Sequence, residues 1–306
     1  MRILVTGGAG FIGSHIAKKL AEKGHGVVVV DDFSSGNWKN LIHFPGDVAT
    51  CDIATHPERI EKLGPFDLIS HQAAITDTTV MDQHKMMHNN VEAFRHLLRL
   101  AEHWGTARIV WASSASIYGG NQAPNVETQD PDPLNVYAYS KLVKERMAHQ
   151  WSQHTGRRSV GLRYFNVYGP GEDHKGKFAS MIHQLAKQMR AGKRPRIFTA
   201  GQQKRDFVYI EDVVTANLKA MECPKSGVFN VGSGVGFSFN QVVQRLNEVL
   251  GTKLEPDYFE NPYNFTQDHT QADVEHAREG LGYVPAFDPV KGIAAYHASG
   301  ALGIAC

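Results

Sequence analysis

The first half of the chain alternates short apolar runs with longer segments in which apolar residues recur every three or four positions. The apolar runs predict strands at 2–6, 27–30, 66–70, 108–112 and 159–165. The periodic segments predict helices at 11–23, 82–104 and 136–153. Val27–Val30 is apolar on both sides, as expected where helices cover both faces of a sheet. Because strands separated by helices pair in parallel through right-handed crossovers, the pattern predicts a doubly wound α/β sheet of the Rossmann type.

The pattern is looser after Pro170. Helical spacing returns at 178–189 and 238–250, with a short strand at 229–231 between them. We expect a cofactor-binding domain at 1–167 with a return segment at about 206–232. A smaller C-terminal substrate lobe would comprise about 168–205 and 233–306. The tail, His297–Cys306, is rich in Gly and Ala and uncharged, so we expect it to be poorly ordered.

Composition and charge narrow the class of protein. Lys and Arg number 32 and Asp and Glu 31, a net charge of +1 that argues against a nucleic-acid partner. Apolar runs stay far below the roughly 18 residues that would span a bilayer, and the N-terminus lacks the pattern of a signal peptide. Cys51, Cys223 and Cys306 are odd in number and widely spaced, which does not indicate a disulfide framework. We therefore expect a cytoplasmic protein with free thiols and no membrane partner.

A glycine-rich turn joins the first strand to the first helix. The segment TGGAGFIG spans positions 6–13 and places glycines in the spacing GxxGxxG. Glycine lets the backbone approach a pyrophosphate closely, and a helix N-terminus offers unpaired N–H groups to phosphates. Because the turn lies between a strand and a helix, and an acidic residue ends the next strand, it predicts a dinucleotide site. The residues expected to bind it here are Gly7, Gly10, Phe11, Ile12 and Gly13.

Acidic residues further along the chain bear on the choice of dinucleotide. Asp31 ends the second predicted strand, where a carboxylate accepts both ribose hydroxyls of NAD and repels a 2′-phosphate. Asp32 adds a second negative charge, and Lys39 is the nearest cation along the chain. These residues favour NAD, with NADP as the alternative. Asp52 and Ile53 are candidates to cover the adenine, although an ordinary Asp at a strand end explains Asp52 equally well.

A tyrosine and a lysine in the third predicted helix are candidates for the chemistry. In YAYSK, Tyr137 and Lys141 stand at i and i+4 and share one helical face. A nearby ammonium favours the phenolate, so we expect Lys141 to lower the pKa of Tyr137. Ser114 and Ser116 follow a strand, where a hydroxyl can point into the cleft beyond the carboxyl edge of the sheet.

Four segments together, TGGAGFIG, SSASIYGG, YAYSK and RYFNVYGP, resemble the extended short-chain dehydrogenase/reductase superfamily and its nucleotide-sugar epimerases. The resemblance covers the chain to about Phe287. It implies an epimerase that oxidises a nucleotide sugar transiently to a ketone, with Tyr137 and Lys141 catalytic and Ser114 or Ser116 as a hydroxyl partner. It also implies that Ala73 and Asn90 line the cofactor site, that Asn166 and Arg205 contact the sugar diphosphate, and that the chain forms homo-oligomers.

A closer resemblance is to the ADP-L-glycero-D-manno-heptose 6-epimerase subfamily. It is carried by PLNVY at 133–137, RYFNVYGP at 163–170, HKG at 174–176, KRDFVY at 204–209 and TQAD at 270–273. In that subfamily the lysine of HKG is a second acid/base opposite the tyrosine, which implies this role for Lys175. The chain departs from the subfamily in Asp31-Asp32, which has no nearby cation, and in the segments 76–88 and 261–269.

Other functions remain open from the sequence. A UDP-glucose 4-epimerase would use the same tyrosine and serine and leave Lys175 a bystander. A dinucleotide sensor without catalysis would need none of these catalytic side chains. A 4,6-dehydratase usually has an Asp-Glu pair where Ala115 and Ser116 stand here. His84 and His88 are spaced i, i+4, but no third ligand stands out, so we expect no metal.

Overall fold

The computed structural model describes residues 1–198, 200–260 and 268–304. Within these residues the strands are β1 (Arg2–Thr6), β2 (Gly26–Asp31), β3 (Asp47–Thr50), β4 (Leu68–His71), β5 (Arg108–Ser114), β6 (Arg158–Tyr164), β7 (Asn166–Tyr168), β8 (Arg196–Phe198), β9 (Lys204–Tyr209), β10 (Gly227–Val231), β11 (Gly236–Ser238) and β12 (Asp257–Phe259). The α-helices are α1 (Phe11–Glu22), α2 (Pro57–Glu61), α3 (Gln83–Met87), α4 (Ala93–Trp104), α5 (Val136–Thr155), α6 (Met181–Arg190), α7 (Ile210–Glu222), α8 (Phe239–Leu250), α9 (Glu275–Leu281) and α10 (Pro289–Ala298).

Seven of the described strands form one sheet in the order β10-β6-β5-β4-β1-β2-β3, and every neighbouring pair is parallel. Thr6, at the carboxyl end of β1, stands opposite Val30 of β2 and His71 of β4. The strands after which the sequence predicts cofactor and catalytic residues therefore end at one edge of the sheet.

Helices cover both faces of this sheet. Ile3 and Val5 of β1 pack in one buried cluster with Ile16 of α1 and Val213 of α7. Leu4, between them, points to the opposite cluster, which contains residues of α4 and α5 such as Phe94 and Trp151. This alternation follows from the two-residue period of a strand. The predicted doubly wound Rossmann sheet is confirmed.

Two short sheets lie apart from the large one in the described residues. Strands β11, β9 and β7 form one of them, and β12 and β8 form the other. After β9 and α7 the chain returns to the large sheet through β10, which pairs with β6. The predicted division into two domains, with its boundaries, stays a prediction.

Two details differ from the sequence expectations. The helix expected over 82–104 is α3 and α4 joined by a π-helical turn at His88–Glu92. The expectation of a poorly ordered tail is wrong for its described part, because Leu302 is fully buried and Gly303 packs against the backbone of Ala186. Cys51 and Cys223 are buried free thiols, and Cys306 lies outside the described residues. No helix in the described ranges is long and apolar enough to span a membrane.

Candidate active site

The β1–α1 turn is closed by glycines that have no room for a side chain. Gly7 has a positive φ of 66°, and a Cβ there would lie 2.6 Å from the backbone nitrogen of Ala73. A Cβ on Gly13 would lie 2.1 Å from the carbonyl oxygen of Gly7. The Gly10 N–H donates to that same oxygen at 3.1 Å. The glycines therefore let β1, the start of α1 and the segment after β4 meet at one point.

The N-terminus of α1 has backbone N–H groups that no side chain of its own sequence caps. Its N-cap is Gly10, which supplies no side-chain hydrogen bond, and its first turn contains no acidic residue. Helices α5, α6, α8 and α10, in contrast, are capped by Asn135, Ser180, Ser238 and Asp288. The first N–H groups of a helix have no intrahelical partner, so Phe11, Ile12 and Gly13 present donors suited to a pyrophosphate. This turn fits a dinucleotide.

Asp31 lies beside the turn, buried at the end of β2. One carboxylate oxygen accepts the Ala9 N–H at 2.9 Å, and the other accepts the Phe33 N–H at 2.8 Å. Burial raises the pKa of Asp31, and these two backbone hydrogen bonds partly oppose the shift. A carboxylate has about four lone-pair sites, so Asp31 retains acceptors for ribose hydroxyls. Asp32 is exposed and accepts from the backbone and hydroxyl of Ser34.

The remaining residues expected at the cofactor site mainly brace the backbone. Asp52 accepts from the Ala54 N–H and the Thr55 hydroxyl, and Ile53 is buried. Asn90 is fully buried, exchanges hydrogen bonds with both backbone groups of Ile75 and donates to Ser140. Asn90 therefore fixes the segment that follows Ala73 and has its polar atoms already engaged.

Helix α5 brings Tyr137 and Lys141 to the carboxyl end of β5. The Lys141 Nζ donates to the carbonyl of Ala112 at 3.1 Å and lies 5.4 Å from the centre of the Tyr137 ring. Ser114, at the carboxyl end of β5, is close enough to Tyr137 to influence the pKa of its hydroxyl. A buried ion pair, Glu145 of α5 with Arg163 of β6 at 2.7 Å, holds the helix against the sheet. The predicted triad of Ser114, Tyr137 and Lys141 is therefore assembled in space.

The expectation that Lys141 lowers the pKa of Tyr137 is wrong in this structure. Burial raises the pKa of Tyr137, and the opposing influence is the hydrogen bond to Ser114. Lys141 is itself buried, which lowers its own pKa to about 8. Both groups lack the solvation that favours their charged forms. The i, i+4 spacing fixes their proximity but does not reveal how far both are buried.

A cavity of about 510 Å³ opens in front of Tyr137. Its lining includes all the residues that the sequence assigns to the substrate, namely Ser114, Ser116, Asn166, Lys175 and Arg205. The Ser116 hydroxyl is buried without a hydrogen-bond partner in the described residues, whereas Asn166 donates to the carbonyl of Asp206. Because a buried polar group without a partner is costly, Ser116 is a candidate to bind a ligand.

The charge of the cavity has one sign. Lys175, Arg196 and Arg205 are among its lining residues, and no Asp or Glu is, in the part of the chain that the structure describes. Burial lowers the pKa of Arg205 to about 10, and nearby Asp268 opposes the shift. Guanidinium groups match phosphate oxygens through paired hydrogen bonds, so the cavity suits an anionic ligand such as a diphosphate.

Arg205 is positioned by its neighbour in β9. The buried carboxylate of Asp206 accepts N–H groups from Ser233, Gly234 and Ala272, at 2.7 to 2.9 Å. These contacts tie β9 to two distant segments of the chain. The side chain of Arg205 thereby extends from a fixed strand into the cavity.

Lys175 reaches the cavity from the 3₁₀ segment Asp173–Phe178. Its Nζ lies 5.7 Å from the centre of the Phe11 ring, at the start of α1. Burial lowers the pKa of Lys175, and the carboxylate of Glu172 opposes the shift. A lysine whose neutral form is favoured in this way is suited to accept a proton.

The far wall of the cavity is formed by residues that no sequence pattern indicates. Arg196 in β8 lies with its guanidinium carbon 4.5 Å from the centre of the Phe259 ring in β12, and Phe198 contacts the same ring. These strands have three residues each and lie about 60 positions apart, so no local pattern connects them. Gln203 and Thr270 also line the cavity. The divergent segment noted at 261–269 falls largely outside the described residues, since 261–267 are not described.

His84 and His88 stack with 6.1 Å between their ring centres. A search of the described residues finds no group of three or more His, Cys, Asp or Glu side chains that could hold a metal ion.

Comparisons with known proteins agree with this geometry. A model of the NAD dependent epimerase/dehydratase family matches residues 3–232. The ADP-L-glycero-D-manno-heptose-6-epimerase of Alkalilimnicola ehrlichii is 37% identical over 90% of each chain. The crystal structure of the Helicobacter pylori ADP-L-glycero-D-manno-heptose-6-epimerase is 44% identical, covers 97% of this chain and 95% of its own, and superposes with a TM-score of 0.91. The UDP-glucose 4-epimerase of Thermotoga maritima, solved with UDP-glucose, is 34% identical, covers 98% of this chain and 99% of its own, and has a TM-score of 0.91.

Proposed function

The chain belongs to the NAD dependent epimerase/dehydratase family, and we propose that it interconverts two epimers of a nucleoside-diphosphate sugar, inverting the 6-position of ADP-heptose. The observation that carries this proposal is the presence of two proton-transfer groups, Tyr137 and Lys175, in the lining of one cation-rich cavity. Inversion requires a proton-transfer group for each of the two orientations in which the ketone intermediate presents its faces to the hydride. Two bases on separate elements meet this requirement.

In this proposal the cofactor is held by the residues of the glycine-rich turn and by Asp31. The turn at Gly7, Gly10 and Gly13 and the first N–H groups of α1 would hold the pyrophosphate of NAD, and Asp31 its adenosine ribose. The nicotinamide, when bound, supplies the chemistry of accepting a hydride from the sugar and returning it.

The protons are handled by the chain's own side chains. Lys175 takes the hydroxyl proton of one epimer at its Nζ, and Tyr137 gives its Oη proton to the carbonyl oxygen when the other epimer forms. In the reverse direction the Tyr137 phenolate takes that proton back and Lys175 returns its own, while Ser114 donates a hydrogen bond to the transient carbonyl oxygen. Arg205 and Asn166 hold the diphosphate at the other end of the cavity.

The T. maritima relative supports a second candidate, a UDP-glucose 4-epimerase. In that reaction Tyr137 and Ser114 serve both directions, and Lys175 takes no part. The two candidates use the same cavity but differ in their demand on Lys175.

Product analysis of the wild-type protein and the Lys175→Ala variant tests the proposal. Purified protein is mixed separately with ADP-heptose and UDP-glucose, and the products are followed by NMR. We expect inversion of ADP-heptose at C6 and a loss of about 10²–10⁴-fold in kcat on Lys175→Ala. Lys177→Ala, an exposed lysine two positions further on, is the matched control and should retain activity. Conversion of UDP-glucose with Lys175→Ala fully active would establish the 4-epimerase instead.

We also propose that the protein works as a homo-oligomer, as the resemblance to the epimerase family implies. Sedimentation equilibrium of the purified protein tests this, and a single species at the mass of one 306-residue chain would refute it.

A further inference from the structure

The segment that carries Lys175 is attached to the cofactor-binding turn. Residues 171–178, here called the Lys175 loop, pack against the start of α1. Gly171 lies against His15 of α1, where an added Cβ would stand 3.2 Å from the His15 ring. The Nζ of Lys175 lies above Phe11, the first residue of α1.

One side chain connects the loop directly to the turn. The amide nitrogen of Asn40 donates to the carbonyl of Ala9, inside the glycine-rich turn, at 2.9 Å. The same nitrogen lies 3.2 Å from Nδ1 and 3.4 Å from Nε2 of His174. The Nδ1 of His174 also lies 2.9 Å from the carbonyl oxygen of Gly171, to which its proton can be donated. In the neutral ring this leaves the Nε2 lone pair to face Asn40.

Hydrogen bonds within the Lys175 loop also hold its two ends together. A contact at His174 therefore restrains the adjacent Lys175. The fully buried Glu172 carboxylate accepts the Gly169 N–H at 3.1 Å and the Ser180 hydroxyl at 2.8 Å. These hydrogen bonds join the two ends of the loop. Lys175 is therefore held by an internal clasp, and the pair Asn40–His174 links its loop by hydrogen bonds to the cofactor-binding turn.

We propose that Asn40 and His174 are positioning residues that set Lys175 relative to the cofactor-binding turn. This inference rests on the proposed function, in which Lys175 is the second acid/base. Tyr137 stands on α5 and has no part in this link. Loss of Asn40 or His174 should therefore impair the half of the reaction served by Lys175 and spare the half served by Tyr137.

The first test measures the link without catalysis. Hydrogen exchange of the peptides covering 171–178 is compared in the NAD-loaded and NAD-free protein. We expect NAD to slow exchange in the wild-type loop, and expect this protection to be lost in Asn40→Ala and in His174→Ala. Equal protection in the variants and the wild type would overturn the inference.

The second test separates the two halves of the reaction. NAD-loaded protein is mixed with each ADP-heptose epimer separately, and the absorbance of the reduced nicotinamide is followed over one turnover, normalised to bound NAD. Lys175→Ala identifies the epimer that depends on Lys175. We expect Asn40→Ala and His174→Ala to slow that epimer by about 10- to 100-fold, since small displacements of a catalytic group have effects of this size. The other epimer should change less than about twofold.

Conservative and distant variants complete the design. His174→Asn keeps a donor for Gly171 and an acceptor for Asn40, so it should restore most of the lost rate. It also keeps the test open if His174→Ala does not fold. His149→Ala, an exposed histidine of α5, should behave as wild type. Equal slowing of both epimers would reject the positioning role, whereas Lys175→Ala without any epimer bias would reject the proposed function itself.

Discussion

Tyr137 is the residue on which the proposed chemistry depends most directly. Its burial favours the neutral phenol, and it lines the cavity together with Ser114, so it is set to give a proton to a carbonyl oxygen and to take it back. The Nζ of Lys141 donates to the carbonyl of Ala112 and lies 5.4 Å from the centre of the Tyr137 ring. This hydrogen bond holds Lys141 beside the ring.

Removing this hydroxyl should stop turnover and leave the cofactor site intact. We predict that Tyr137→Phe lowers kcat by about 10²–10⁴-fold. The glycine-rich turn and Asp31 are untouched, so the variant should keep its bound NAD. NMR of the products and quantification of NAD released on denaturation measure the two effects. Tyr139→Phe changes an exposed ring of the same helix and should be neutral; an active Tyr137→Phe would contradict the role.

Lys144 is a buried lysine that the reaction does not use. It is fully buried, and its Nζ has no hydrogen-bond partner in the described residues. The Nζ lies 4.9 Å from the centre of the Phe94 ring and 5.8 Å from that of Trp111. Burial, reinforced by the charge of Lys141, holds the pKa of Lys144 well below its usual range. The folded protein therefore binds a proton on this lysine less readily than the unfolded chain does.

Replacing Lys144 by an apolar residue of similar shape should stabilise the protein. We predict that Lys144→Met raises the free energy of unfolding by about 1–3 kcal/mol at neutral pH. At pH values between the lowered pKa of folded Lys144 and the unfolded pKa of about 10.4, the unfolded chain binds more protons than the folded protein. The free energy of unfolding of the wild type therefore rises with pH across this interval. The gain should accordingly shrink as pH approaches about 10. Urea unfolding at about pH 7 and about pH 9.5 measures it, with the exposed Lys253→Met as control; a destabilised Lys144→Met would show that the ammonium is held favourably.

At the scale of elements, the β1–α1 turn leaves no room for a side chain at Gly7 or Gly13. A Cβ on Gly13 would overlap the Gly7 carbonyl. The neighbouring atoms are backbone, so the turn or the helix would have to move.

We predict that Gly13→Ala lowers the affinity for NAD by at least about tenfold, because the helix N-terminus no longer aligns with the pyrophosphate. Gly26→Ala is a fair comparison, since its added Cβ would meet nothing closer than 3.9 Å. Titration calorimetry measures the affinity of both variants for NAD, and only Gly13→Ala should show the loss. Unchanged affinity in Gly13→Ala would place the pyrophosphate elsewhere.

The elements that could be predicted from the sequence are those with a strong internal pattern. Strand β1 has the predicted bounds, and α1 differs at its end by one residue, because apolar periodicity and Gly24 define them locally. Strand β3 was missed because it is a half-exposed edge strand with no continuous apolar run. Strands β8 and β12 are three residues long and form only by pairing with each other.

The same distinction applies to the site. Residues within one turn of chain, such as Tyr137 and Lys141, could be identified from their spacing. The link between Asn40 and His174 joins positions 134 apart and carries no sequence signal. The raised pKa of Tyr137 also depends on burial by distant segments, which spacing does not reveal.

At the scale of the whole molecule, the cavity is walled by the large sheet on one side and by both small sheets on the other. Ser114 ends β5, Asn166 begins β7, Arg205 lies in β9, and Arg196 lies in β8. The ligand would thus contact elements from nearly the full length of the chain. The two proton-transfer groups and the two guanidinium groups all line this one space.

The acid-free lining of the cavity determines how the protein sorts its ligands. Arginines attract a diphosphate equally well whichever sugar is attached to it, so the nucleotide acts as a handle. Free nucleoside diphosphates should then compete with substrate, and unsuitable sugars should enter almost as readily as suitable ones. Discrimination is left to the moment of proton transfer, when only a correctly placed hydroxyl meets Tyr137 or Lys175.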